Sequence, residues 1–155
     1  SLMQRIIITK FNRDKSMWTV SKKLAHYSYV MFYTSLMAHI LLAEDDSAMR
    51  GFIEKTLIKA GHTVESCEDG STAYSKITGS TPYDLLLTDI VMPGMDGIEL
   101  SQKASDKHPQ MKVMFITGFA AVAMDHKKAD EGAKVLSKPF HLRQLVDQVN
   151  EILTA

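Results

Sequence analysis

Leu85-Leu86-Leu87-Thr88-Asp89-Ile90-Val91-Met92-Pro93-Gly94-Met95-Asp96-Gly97 is the stretch on which the fold turns. The leucine run shows neither helical spacing nor alternation. That is the signature of a strand covered on both faces, which belongs in a parallel sheet flanked by helices. The run leads to an acid, Asp89, and then to a loop rich in breakers. Three other apolar runs are built the same way. Residues 40–43 precede Asp45 and Asp46, residues 113–116 precede Thr117, and residues 135–137 precede Lys138. In an open parallel sheet, residues just past the strand C-termini converge on one crevice. Three carboxylates, a hydroxyl and an ammonium gathered there would suit a divalent cation and a phosphoryl group.

The rest of the pattern agrees with an α/β reading. Strands are expected at 39–44, 63–67, 85–87, 112–116 and 134–137. Helices are expected from Ser47, a plausible N-cap, to Gly61, then over 71–78, 98–107 and 122–131. A last amphipathic helix places Leu142, Leu145, Val146, Val149, Ile152 and Leu153 on one face. Alternating elements with short connections make a doubly wound five-stranded parallel domain, in which right-handed crossovers limit the topology.

Three close carboxylates repel one another unless a cation lies between them. Mg²⁺ suits the site because it takes hard oxygen ligands, few of them carboxylates, and completes its shell with water and phosphate. A carboxylate can also act as a nucleophile and form an acyl phosphate. Asp89 follows the most hydrophobic strand and is the expected acceptor, while the adjacent Asp45 and Asp46 suit ion holding. Lys138 would neutralise phosphoryl charge, and the Thr117 hydroxyl would donate to it. Gly118 leaves the approach open. Taken singly, each acid reads equally well as a helix cap or a solvated loop residue. Their shared place at the ends of successive strands favours the site.

The 155 residues carry no formal net charge, which argues against a polyelectrolyte nucleic-acid binder. Cys67 is the only cysteine, so no intramolecular disulfide or multi-cysteine zinc site is expected, and a reducing cytoplasm fits. No apolar run reaches the roughly 18 residues needed to span a bilayer. The six histidines show no ligand spacing, and no secretory signal or Walker-type glycine loop is visible.

Composition changes near residue 37. Residues 1–36 hold six basic side chains against Asp14 alone, a charge of +5; the remainder, with 12 basic and 17 acidic residues, carries −5. Half of the aromatics also fall in 1–36. Three readings fit this extension: a translated upstream stretch with Met37 as the start, a docking or dimerising element with a strand over 4–9 and a helix over 20–36, or a basic-aromatic arm for a membrane surface or nucleic acid.

Residues 38–155 resemble the receiver domain of two-component response regulators, the CheY-like, flavodoxin-like (βα)5 fold. The resemblance rests on Leu42-Ala43-Glu44-Asp45-Asp46, on 87–97, on Phe115-Ile116-Thr117-Gly118 and on Ser137-Lys138-Pro139-Phe140. It implies a receiver domain over 37–155 with sheet order 2-1-3-4-5. It implies phosphoryl transfer to Asp89 from a histidine kinase or phosphotransfer protein. It also implies Mg²⁺ held by Asp46, Asp89 and the Val91 backbone carbonyl, with Asp45 acting through water, and a cis bond between Lys138 and Pro139. Residues 115–123 and 133–139 are most similar to the CpdR-type single-domain regulators, which implies a role in cell-cycle control and substrate delivery to a protease.

One position departs from the family pattern. Many receivers carry an aromatic three residues before the lysine, where this chain has Val135, so Phe119 or Phe140 would have to report phosphorylation instead. The chain ends soon after its last helix, leaving no room for a helix-turn-helix. Output is therefore expected through protein binding on the face of 122–131, the fifth strand and the last helix, with a homodimer an open alternative. No enzymatic turnover is expected beyond weak self-phosphorylation and self-dephosphorylation. An aspartate-dependent phosphohydrolase would need a second acid at Val91. A flavodoxin-like cofactor binder would leave the acids unexplained, and a pseudo-receiver would not need all five site residues.

Overall fold

The computed structural model of the protein describes residues 37–118 and 133–155. The extension 1–36, the expected helix 122–131 and Phe119 lie outside the described residues. Five parallel strands run β1 (His39–Ala43), β2 (Thr63–Cys67), β3 (Leu85–Asp89), β4 (Lys112–Thr117) and β5 (Lys134–Ser137). They pair in the order β2-β1-β3-β4-β5, as the resemblance implies. Four described helices accompany them: α1 (Ser47–Lys59), α2 (Gly70–Ile77), α3 (Gly97–Lys107) and α4 (Leu142–Thr154).

The leucine run sits where its sequence requires. All five residues of β3 are buried, and side chains alternate between two cores. Leu86 packs with Leu41, Ala73, Leu100, Val113 and Phe115 on the α2–α3 face. Leu85 and Leu87 pack with Ile40, Leu42, Ile53, Leu57, Leu145 and Val149 on the α1–α4 face. The stripe on α4 is narrower than its spacing suggests. Leu145, Val149 and Ile152 are buried, whereas Leu142 is exposed.

Helix starts follow one rule. Asp46, Asp69 and Asp96 each cap a helix, accepting from the backbone N–H of Met49, Thr72 and Glu99 at 2.7–2.8 Å. The expected Ser47 cap is therefore displaced by one residue. A carboxylate satisfies an orphan donor and also complements the positive helix end. After α1, Gly61 adopts φ +101°, the left-handed turn that ends the helix.

His62, in the turn between α1 and β2, is buried. Its Nδ1 accepts the Ala38 N–H at 3.2 Å, which requires the neutral ring. Nε2 is buried without a well-formed partner. Burial lowers the His62 pKa from the usual 6.5, and the nearby Asn150 side chain only partly opposes this. The unfolded chain therefore takes up this proton before the folded one does. Above about pH 6.5 both forms are neutral and stability is full; as the pH falls below that value, stability is lost until the folded ring also protonates. Urea melts between pH 7.5 and 5 are expected to show this loss, and His62→Gln is expected to flatten it.

Candidate functional site

The register of the sheet builds the site. Ala43 is level with Thr88, so the next pair outward is Glu44 beside Asp89. Asp89 is level with Ile116, and Thr117 with Ser137. The Lys138 N–H donates to the Thr117 carbonyl at 2.8 Å, carrying the β4–β5 ladder one residue past the strand. The Lys138–Pro139 peptide is cis. From this junction the Lys138 ammonium reaches back to Glu44 Oε2 and Asp89 Oδ2, each at 2.7 Å.

The charges are mostly shielded from water. Glu44 is 1% exposed and Asp89 8%. Burial pushes the Glu44 carboxyl above its usual range, outweighing the contacts with Lys138 and the Asp46 N–H that pull it down. Burial works against the Lys138 ammonium too, yet its bonds to Asp89 and Glu44 together hold its pKa above the ordinary value. The second oxygens are also engaged. Glu44 Oε1 accepts the Asp46 N–H at 3.2 Å, and Asp89 Oδ1 accepts the Val91 N–H at 3.3 Å.

Of the residues expected here, Asp89, Lys138 and Asp45 come together. Thr117 is fully buried at the end of β4, next to β3. Asp46 does not join them in the cluster. One oxygen from each of Glu44, Asp45 and Asp89 lies within 4.8 Å of the others, a trio that takes in Glu44 and not the expected Asp46. The physical reason is the helix start, since Asp46 Oδ1 is committed to the Met49 N–H. Glu44 went unrecognised because it was counted as the last strand residue. Its signal was available: an acid set directly against an apolar run, level with Asp89 once the strands pair. The trio fits a hard divalent cation. All donors are oxygens, two come from buried carboxylates, and Lys138 already marks the spot as one that calls for positive charge.

Gly97 secures the loop that follows Asp89. Its N–H donates to the Ile90 carbonyl at 2.8 Å. A Cβ at this position would lie 2.0 Å from the Asp89 carbonyl oxygen, so only glycine allows the approach. Gly97→Ala is expected to cost about 3 kcal/mol by displacing backbone. Chemical denaturation checks the cost, and loss of Mg²⁺ binding checks that the loop after Asp89 moves with it.

Residues 40–150 match the model of the response regulator receiver domain, and the chain belongs to that family. It is 54% identical to the response regulator receiver protein CpdR of Brucella abortus over 120 residues, 77% of this chain and 99% of that protein. It is 32% identical to the DNA-binding transcriptional regulator NtrC of Salmonella typhimurium over 74% of this chain, but spans only 24% of NtrC. A response regulator receiver protein from Sinorhizobium medicae superposes with a TM-score of 0.72 at 29% identity, covering 77% of this chain and 96% of that one. TrrA of Thermotoga maritima, solved in complex with Mg²⁺ and BeF, superposes with a TM-score of 0.68 at 26% identity, over 75% and 99% of the two chains. Among the described residues, no helix is long and apolar enough to cross a membrane.

Proposed function

We propose that this protein is a phosphoacceptor of a two-component relay, with Asp89 as the residue phosphorylated. The observation that carries this reading is the Lys138 ammonium held 2.7 Å from Asp89 beside the Glu44–Asp45–Asp89 trio. An Asp89 carboxylate oxygen attacks the phosphorus of a phosphohistidine. The new P–O bond forms as the P–N bond breaks, and the imidazole leaves with the electron pair. Glu44, Asp45 and Asp89, with the Val91 carbonyl as a further oxygen, would hold Mg²⁺, which would supply positive charge for the phosphoryl oxygens. Lys138 moves its donors from carboxylate to phosphoryl oxygen, and the Thr117 hydroxyl donates from β4.

The donor is a histidine kinase or a histidine phosphotransfer protein. Output is protein binding at a face that includes β5 and α4, in the manner of a single-domain regulator. Val135 is partly exposed on β5 and Phe140 packs against the α1–α4 core, so an inward-rotating aromatic at position 135 is not part of the switch. A shift from mostly inactive to mostly active needs about 5.5 kcal/mol of differential stabilisation. The bonds of Lys138 and Thr117 to the phosphoryl group are the available source. The likeness to CpdR supports a role in cell-cycle control and regulated proteolysis. Residues 37–155 form the receiver, and 1–36 are upstream sequence or a docking segment.

Acetyl phosphate with Mg²⁺ is expected to add one phosphoryl group, seen by intact-mass spectrometry and prevented by EDTA. No uptake from acetyl phosphate or from any histidine kinase would remove the reading.

A further inference from the structure

Arg50 lies one turn into α1, and its side chain turns back toward the strand it follows. Nη1 donates to the Glu44 carbonyl at 2.6 Å and stands 3.3 Å from the Asp45 carbonyl. No carboxylate of the described residues lies within ion-pair distance of the guanidinium. Its Nη1 donor is thus spent on the backbone of two of the three clustered acids rather than on a carboxylate. The reason lies in the turn. β1 ends at Ala43, α1 begins at Ser47, and the chain reverses within three residues. Neither the Glu44 nor the Asp45 carbonyl takes a backbone donor among the described residues, and the Glu44 carbonyl is partly buried, where an acceptor needs a partner.

We infer that Arg50 is a positioning residue for the acid pair: by fixing the Glu44 and Asp45 carbonyls it holds both carboxylates toward Asp89. This rests on the proposed Mg²⁺ site. Asp46, capped onto Met49, pins the far end of the same turn, and its own N–H bonds Glu44 Oε1. Without Arg50 the bend keeps the Glu44 N–H bond to the Cys67 carbonyl at the strand end and the Asp46 cap at the helix end, but the Glu44 and Asp45 carbonyls between them lose their shared donor.

The sign of the effect on cation binding separates this role from simple electrostatics. If Arg50 acted only as a nearby positive charge, its removal would relieve repulsion and tighten Mg²⁺ binding. If it positions the acids, its removal loosens them and weakens binding, by about tenfold, as for other outer-shell partners. The test is titration of Mg²⁺ alone, without phosphodonor, by calorimetry, at a temperature where thermal melts show each variant fully folded. Arg50→Ala is expected to bind about tenfold more weakly. Arg50→Lys, a point charge able to reach one carbonyl, is expected to fall between it and the wild type. Should Arg50→Ala fail to fold, Arg50→Gln keeps part of the stem and a donor and takes its place. Binding that is unchanged or tighter in the folded variant overturns the inference. Failure of the wild type to bind Mg²⁺ would instead strike the proposed site itself.

Discussion

Asp89→Ala is expected to abolish phosphoryl uptake from acetyl phosphate while leaving the fold in place. Two other carboxylates lie within 4.8 Å, so the prediction is a real choice among acids. Glu44 is almost fully buried and held by Lys138 and by the Asp46 N–H, which leaves it poorly placed to attack. Asp45 is exposed and makes no bond to Lys138. An attack from Asp45 would lack the donors aimed at the oxygens of the transferring group, and loss of even one such donor costs about 100-fold or more. Labelling in Asp89→Ala is therefore expected to be at least about 100-fold slower than in the wild type. The fold survives because Lys138 keeps its bond to Glu44 and the alanine fits a buried strand end. Asp89→Asn, which preserves shape, is expected to behave alike. Peptide mapping checks the site: label found on Asp45 or Glu44 at the wild-type rate would displace Asp89 as acceptor.

The sequence made the sheet legible because its strands are nearly pure. β3 and β4 are apolar runs bounded by breakers or charges, and the strand limits shift by one or two residues at most. Sheet order came from the family resemblance, and the structure has it. The site was less legible at one point, the junction of β1 and α1. Three acids in a row, Glu44, Asp45 and Asp46, offer two adjacent pairs, and spacing alone does not choose between them. The choice depends on where the helix starts. Reading Ser47 as the cap left Asp46 free for the cation. In the structure Asp46 is the cap, and the acids whose oxygens gather with Asp89 are Glu44 and Asp45. Strand register then explains why a fully buried glutamate is tolerated: it is level with Asp89, and Lys138 lies between them. Arg50 escaped notice for a related reason. An arginine on an amphipathic helix reads as solvated, and only the path of the turn shows that it reaches two carbonyls.

Lys138→Met is expected to make folding depend on a divalent cation. In the wild type the ammonium lies between two carboxylates that the fold removes from water. Its pKa is raised in the folded state, so its contribution is complete below about pH 10.5 and is lost only as the pH rises beyond that. At neutral pH the replacement leaves Glu44 and Asp89 facing each other with no cation between them. Breaking a buried pair from one side costs about 3 kcal/mol, because the remaining charge is uncompensated. Two remedies exist, and each is a measurement. Acid protonates Glu44, whose carboxyl burial already raises and which loses the ammonium that pulled it down, so the deficit against wild type is expected to shrink as the pH falls toward 5. Mg²⁺ takes the place of the lost charge, so it is expected to raise the melting temperature more in the variant than in the wild type, where the ammonium competes for the same oxygens. The phosphorylated variant, lacking the Lys138 bond to the phosphoryl group, is expected to bind its effector no better than the unphosphorylated protein. Equal stabilisation of both proteins by Mg²⁺ would mean that the ammonium and the cation occupy separate places, and the shared pocket would have to be redrawn.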